Sequence, residues 1–377
     1  MTTLTNVRAS LPSATASAYL NAGTFGPLPT PAALAMSDHL RETHETGRIG
    51  VRGFKRWLQI EADARAAFAR VIGASPDDVA LTHCTTDGVN LTLSGLDWRE
   101  GDEVLTGDAE HPGLLVPLAE LARRKGVTVA RVAIADAIDP VATLAEAMTL
   151  RTKLVAISHV LWTTGRVLPV AAIAAMARAA GALTLIDGAQ AIGAVPVDVP
   201  ATGSDFYTVS GQKWLCGPSG TGALYVSPTA REKLSPSMSG YSTMNSSAPG
   251  GPAPWATARR FDSGTITLTA LVGATASIAW REEIGAAWAL ASARDRAENL
   301  RSIIAGRPGL RVAETFGAPS TIVSIAVEGR AVDRIAVALE AEGVLVRSIP
   351  GTPYVRASVG FWNDARDVER LVEGLTG

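Results

Sequence analysis

Cysteine is scarce: Cys84 and Cys216 are the only two in 377 residues. Two thiols cannot build a disulfide framework, so a reducing compartment, the cytoplasm, is the expected location. An excess of one charge is lacking too. Lys and Arg number 34 against 36 Asp and Glu, a formal charge of −2, and no basic run occurs. No nucleic-acid partner is expected from that balance. There is no long apolar run. The longest weakly charged stretch, Ser263–Trp280, is studded with Thr, Ser and Gly and flanked by charges. It reads as a core helix and not as a membrane span. Met1–Pro12 lacks a basic start followed by an apolar stretch, so no secretory leader is expected. No metal site is expected either. What is present is ordinary globular material: 47% hydrophobic and 19% charged residues exclude intrinsic disorder. The length exceeds one typical core and predicts two domains, or one large α/β domain with an accessory part.

Strand and helix patterns alternate through the first two-thirds of the chain. Val79–Thr82, Glu103–Leu105, Val127–Ile134, Leu154–Ser158, Leu183–Ile186, Phe206–Val209 and Gly222–Val226 are strand-like. Helical patterns cover Thr86–Leu96, Leu114–Arg124 and Val170–Ala180, with two more, Pro31–Thr46 and Phe54–Ile72, ahead of the first strand. Apolar strands alternating with helices predict a mainly parallel sheet covered on both faces. Ser235–Pro254 is rich in Ser, Gly and Pro and reads as a long surface loop. Long helices over Thr267–Ile284 and Ala286–Ile304 follow. The last stretch alternates again: strands Thr321–Val327, Leu345–Ser348 and Val355–Ser358, helices Val332–Ala341 and Val368–Leu375. The expected division is an N-terminal segment (1–25), a large domain (26–255) and a smaller C-terminal α+β domain (256–377).

In an open parallel sheet, ligands sit beyond the carboxyl ends of the strands. His83-Cys84-Thr85-Thr86-Asp87-Gly88 follows the first strand and offers hydroxyls and free backbone N–H groups to an anion. Alone, it reads more readily as an ordinary helix cap. Asp187-Gly188-Ala189-Gln190 follows Leu183–Ile186, and a carboxylate there is costly unless paired. Ser210-Gly211-Gln212-Lys213-Trp214 follows Phe206–Val209, and a Lys at the mouth of a core strand is unusual. Lys213 comes 26 residues after Asp187 (213 − 187). Together the three provide a Lys for a Schiff base, an Asp for a pyridinium nitrogen and a Thr-rich helix start for a phosphate, the protein's parts for pyridoxal phosphate.

With these residues in place, the sequence resembles the class V aminotransferase group of fold-type-I pyridoxal-phosphate enzymes. The resemblance runs from Leu20-Asn21-Ala22-Gly23-Thr24-Phe25-Gly26-Pro27 to the final helix. Within the group the chain is most similar to the cysteine/cystine C–S lyases, relatives of cysteine desulfurases and isopenicillin-N epimerases. That likeness rests on Gly95-Leu96-Asp97-Trp98, Glu110-His111-Pro112-Gly113, Ser158-His159-Val160-Leu161-Trp162-Thr163-Thr164-Gly165, and Lys213-Trp214 with Gly217-Pro218. The resemblance implies an α/β fold, a large domain with a mainly parallel sheet plus a smaller C-terminal domain. It implies pyridoxal 5'-phosphate as cofactor, with Lys213 the Schiff-base lysine, Asp187 on the ring nitrogen, Gln190 near the phenolic oxygen and His111 stacked over the ring. Thr85, Thr86 and Ser210 would hold the phosphate, with Gln212 beside them. Gly264 and Thr265, in Phe261-Asp262-Ser263-Gly264-Thr265, match a segment that reaches a neighbouring subunit's phosphate, which implies a homodimer with shared sites. Arg356 matches the arginine that grips an amino-acid carboxylate; Arg347, His159 and Asn21 are further substrate candidates.

Plainer readings stand beside these. His111, before Pro112, could simply cap a helix, and Arg347 could form a surface ion pair. His39 and His44 fall on a polar helix face and read as solvated. Cys84 reads as a small buried residue. Two departures from the group matter. Gln212 replaces the usual His before the lysine; it donates a hydrogen bond but carries no charge. Between Arg347 and Arg356, where cysteine desulfurases carry a mobile cysteine, the chain has Ser-Ile-Pro-Gly-Thr-Pro-Tyr-Val. The expected function is therefore a C–S β-lyase that cleaves cystine or a cysteine S-conjugate to a thiol or persulfide, pyruvate and ammonia. An epimerase or a decarboxylating deaminase is the alternative, and a non-catalytic scaffold a remote one.

Overall fold

The computed structural model describes residues 2–377. Its centre is a seven-stranded sheet. In chain order the strands are β1 (Val79–Thr82), β2 (Glu103–Gly107), β3 (Thr128–Val132), β4 (Thr152–Ser158), β5 (Leu183–Asp187), β6 (Phe206–Ser210) and β7 (Gly222–Val226). Their spatial order is β1-β7-β6-β5-β4-β2-β3. The pairs from β6 across to β3 are parallel. β7 runs antiparallel to both β1 and β6. The sheet is thus mainly parallel with one reversed strand, because the short Gly217-Pro218-Ser219-Gly220 turn returns the chain directly, with no crossover helix.

Six helices carry the argument: α1 (Thr30–Thr46), α2 (Gly50–Ile72), α3 (Thr85–Gly95), α4 (Pro112–Lys125), α5 (Leu268–Ile284) and α6 (Ala286–Ala305). Successive side chains of a strand point to opposite faces, and the two cores divide accordingly. Leu81, Leu105, Val155, Ile157, Ile186 and Val209 pack with Phe68 and Ile72 of α2, Ile173 of helix Val170–Ala179 and Leu271 of α5. Ala80, Val104, Leu154, Ala156, Leu185 and Leu224 face the other way, onto Val89 of α3 and Leu118 of α4. Burial on both faces is why these strands are continuously apolar.

A second, four-stranded sheet has the order β8 (Leu310–Val312), β9 (Ile322–Val327), β11 (Tyr354–Ser358), β10 (Arg347–Ser348). All its pairs are antiparallel. Its core joins Val323, Ile325, Val355 and Ala357 to Leu300 and Ile304 of α6 and Leu371 of the last helix. The N-terminal segment belongs to this side. Ala18–Tyr19 pairs with Val344–Leu345, and Ser358 N–H donates to Leu20 O at 2.7 Å. That pairing carries Asn21–Thr24 to the end of β11.

Some expectations need correction. The single strand expected over Leu345–Ser348 is two short ones, Val344–Leu345 and Arg347–Ser348, which pair with different partners. Leu4–Ala9, Pro12–Ala16 and Pro140–Ala147 are helices that the sequence pattern did not show; they are too short for a 3.6-residue period to stand out. Ser235–Pro254 is mainly irregular, as expected, but holds a small hairpin, Met244–Asn245 with Ala253–Pro254. His39 is not solvated: it is 4% exposed, whereas His44 is exposed.

Candidate active site

The strand ends of the central sheet bring the expected residues together. Asp187 is the last residue of β5 and Ser210 the last of β6, with Lys213 three residues on. Asp187 is 4% exposed. Its Oδ1 accepts from Ala189 N–H at 2.9 Å and faces Thr208 Oγ1 at 3.4 Å. Lys213 is half-buried, and desolvation pushes its amine down to about 8, against the opposing pull of Asp187. Gly26 lies against the lysine's backbone: its N–H donates to Gln212 O at 2.8 Å, and a Cβ there would fall 2.1 Å from Lys213 O.

Beside the lysine, α3 begins at Thr85 with Cys84 as its N-cap and no side chain capping it. Its first backbone N–H groups are therefore free for an anion. Ser210 Oγ and Gln212 Oε1 are buried with no partner. A Cβ on Gly113 would sit 2.8 Å from Thr86 Oγ1, so the start of α3 adjoins the His111 turn. His111 takes up the plainer of its two readings, the helix cap. Its Nδ1 accepts from Gly113 N–H at 3.0 Å and caps α4, and its ring stands edge-to-face with Trp162 at 5.0 Å. Burial, reinforced by Lys213, lowers its pKa to about 4, so the ring is neutral at physiological pH.

Arg356 lies near Lys213 and His111. It is 1% exposed, and burial together with nearby Arg347 pushes its guanidinium below the usual range; it still keeps its charge at neutral pH. Nη1 donates to Trp162 O at 3.0 Å and Nη2 to Thr24 Oγ1 at 3.2 Å. Nε has no partner, and no carboxylate pairs with this buried cation among the described residues. Asn21 acts one step back: its Oδ1 accepts from Thr24 Oγ1 at 2.8 Å. Arg347 is exposed and sits opposite Arg356 in the β10–β11 register.

Four expected residues stand elsewhere or are occupied. Gln190 is buried but spent, donating to Gly23 O at 2.9 Å and accepting from Trp214 Nε1 at 3.0 Å. His159 is in the layer behind Asp187. Its Nδ1 meets Tyr207 Oη at 2.7 Å, and its N–H donates to Asp187 O at 2.9 Å. Gly264 and Thr265 are on another face, where Thr265 lines a cavity of about 420 Å³ with α1 and α2. The preceding Asp262 is pinned there by a buried, two-pronged ion pair to Arg65 at 2.9 and 2.7 Å. Sequence reasoning missed Thr24, Tyr207 and Trp162 as site residues. Trp162 was visible only as part of a motif, and Tyr207 is hidden by looking like any strand residue.

The aminotransferase class-V family model matches residues 19–371. The chain belongs to the aminotransferase class-V family. A probable cysteine desulfurase of Methanothermobacter thermautotrophicus is 31% identical, with 98% of this chain and 96% of that protein covered. Isopenicillin N epimerase of Streptomyces clavuligerus is 29% identical over 94% of this chain and 93% of its own. Among solved structures, the cystine C–S lyase C-DES in complex with its reaction product cysteine persulfide superposes with a TM-score of 0.92, at 30% identity over 97% and 98% of the two chains. A C-DES lysine-to-alanine mutant with glycine covalently linked to its PLP cofactor gives a TM-score of 0.93 at 29% identity, with 98% of each chain covered. The class V residues here suit the same group. A half-buried lysine suits an aldehyde, a nearby buried carboxylate suits a protonated ring nitrogen, and an uncapped helix start with the orphaned Ser210 hydroxyl suits a phosphate.

Proposed function

We propose that this protein is a pyridoxal-phosphate-dependent C–S β-lyase acting on cystine or a cysteine S-conjugate. The observation that carries the reading is Lys213, half-buried beside the buried Asp187 and near a buried Arg356 that lacks a carboxylate partner. When bound, pyridoxal phosphate supplies an electron sink for the pair left as the Cα–H bond breaks. Arg356 would take the substrate carboxylate through its remaining N–H groups, a charge-assisted contact that orients Cα. Lys213 Nζ would receive the Cα proton, and an amine lowered to about 8 is partly neutral near neutral pH, as a general base must be. Asp187 would hold the positive charge on the ring nitrogen, and neutral His111 would cover the ring. The sulfur substituent then leaves Cβ with the C–S electron pair. The three-carbon remainder adds water and releases ammonia as pyruvate.

No enzyme thiol is required in this scheme. Cys216 is buried, and burial pushes its pKa up to about 12, so it stays a thiol and not a nucleophilic thiolate. Incubation of the purified protein with cystine and a panel of cysteine S-conjugates, followed by mass spectrometry, tests the reading. Pyruvate and a thiol or persulfide in equal amounts are expected. Inverted substrate without pyruvate identifies an epimerase, and carbon dioxide with an aldehyde a decarboxylating deaminase; either result overturns the lyase.

A homodimer is part of the proposal. Leu34, Leu40, Ile49, Val51 and Phe54 on α1, α2 and their junction are exposed apolar residues, next to the cavity that Thr265 lines. A second copy covering this face would bring Gly264 and Thr265 toward its own phosphate site.

A further inference from the structure

Glu110 is a buried carboxyl that the proposed chemistry does not use. It lies in the turn between β2 and α4, directly before His111, and is 4% exposed. Its Oε2 accepts from Ser158 N–H at 3.0 Å and from Ser158 Oγ at 2.5 Å. Its Oε1 is buried with no partner, and a Cβ on Gly107 would lie 2.6 Å from it, so only a glycine leaves that oxygen room. Ser158 ends β4 and is the register partner of Asp187 on β5. Glu110 thus ties the His111 turn to the strand end beside Asp187.

The charged and titratable groups around it are few. Asp187 faces it from β5 and Asp108 from its own turn, and both disfavour a second negative charge. His111, its neighbour in the turn, and His159, next to Ser158, both have pKa values lowered to about 4 by burial and stay neutral. Past β3, Ile134 is apolar, and Arg166 there spends its guanidinium on the carbonyls of Ile134, Ala135 and Ala137. Among the described residues no cation compensates a carboxylate at this position, and a buried uncompensated carboxylate prefers to take a proton. Burial accordingly pushes Glu110 up to about 7.

We infer that Glu110 is a positioning residue that gains and loses a proton while the site works, and that losing this proton places a second negative charge behind Asp187. The added charge would strengthen the hold of the ring nitrogen and Lys213 on their protons. The link to the cofactor rests on the proposed function; the titration of Glu110 does not.

The test compares the parent holoenzyme with Glu110→Gln, which keeps the shape and cannot ionise. A carboxyl whose folded pKa is raised stabilises the fold below its unfolded value and loses that contribution as pH rises through the folded value. The Tm difference should therefore move in favour of Glu110→Gln between about pH 5 and about pH 8 and level off above. The protonation midpoint of the bound chromophore should fall in Glu110→Gln, because a negative charge has been removed. Ser158→Ala deletes a hydrogen bond that favours the ionised form, so its stability break should move to higher pH. It still decides the matter if Glu110→Gln does not fold. Tm curves that run parallel at every pH, or an unmoved chromophore midpoint, overturn the inference. If the protein released no thiol or pyruvate, only the proposed function would fail, since the Tm readout is independent of turnover.

Discussion

Two thiols and one amine illustrate how burial sorts reactive residues. The same desolvation that lowers Lys213 to about 8 raises Cys216 to about 12. Loss of water disfavours the charged form, which for a lysine is the acid and for a cysteine the base. Burial thus leaves more of Lys213 as the neutral amine that can accept a proton, and makes Cys216 a worse nucleophile. Cys84, at the start of α3, is half-buried, with its Sγ 3.9 Å from Asp87 Oδ1; its backbone is fixed at the N-cap position of the helix, which leaves the thiol no mobile loop on which to swing between substrate and acceptor. The Cys84→Ala, Cys216→Ala double variant should therefore release pyruvate from cystine within a few-fold of the parent. The packing cost should be roughly 1 kcal/mol, since alanine fits a small buried site. Loss of turnover on every substrate in a folded, cofactor-loaded variant would show that one thiol is catalytic.

At the scale of elements, close approach explains what composition does not. Gly26 has an ordinary backbone, so its need for glycine is steric. A side chain there would drive into the carbonyl of Lys213. Gly26→Ala should displace the Lys213 turn at a cost of about 1–3 kcal/mol, the usual range for overpacking. The readout is the ratio of cofactor absorbance to protein after purification, which should drop while the far-UV spectrum is kept. Full cofactor and full activity would remove the steric role. The strands and long helices were legible because continuous apolar runs and 3.6-residue patterns report burial directly. Lys213, Asp187 and the Thr85-Thr86 turn were legible as chemistry stranded at strand ends. The Asn21–Thr24–Arg356 chain was not, since it joins residues more than 330 positions apart through hydrogen bonds that leave no periodic trace. The burial of His39 was missed for a related reason: its helix looks polar at that position, and only the packed neighbours close it off.

On the scale of the whole molecule, the two sheets meet where the N-terminal segment crosses to β11, and the substrate side of the site is assembled there. α5 packs in the core of the central sheet, whereas α6 packs with the small sheet, so the chain changes allegiance near Gly285, between the two helices. What a single chain leaves open is the face built by α1 and α2. Ile49 is 92% exposed and Val51 76%, and an apolar face of this kind marks an interaction site. Asp262, held by Arg65 and by Leu81 N–H at 2.9 Å, fixes Gly264 and Thr265 at the edge of that same face. The proposed dimer places a stable contact, typically about 1,600 Å² in total, over these residues. Val51→Glu combined with Phe54→Glu would bury two unpaired carboxylates in the contact, a cost of several kcal/mol that association cannot absorb. Both side chains are exposed in the single chain, so the variant should fold with a Tm close to the parent's. Sedimentation at micromolar concentration should then give a monomer mass, and pyruvate release should fall at least about ten-fold, a loss of roughly 1.4 kcal/mol or more of transition-state stabilisation. A monomer that keeps full activity would show that each site is complete within one chain. An unchanged dimer would place the contact on another face.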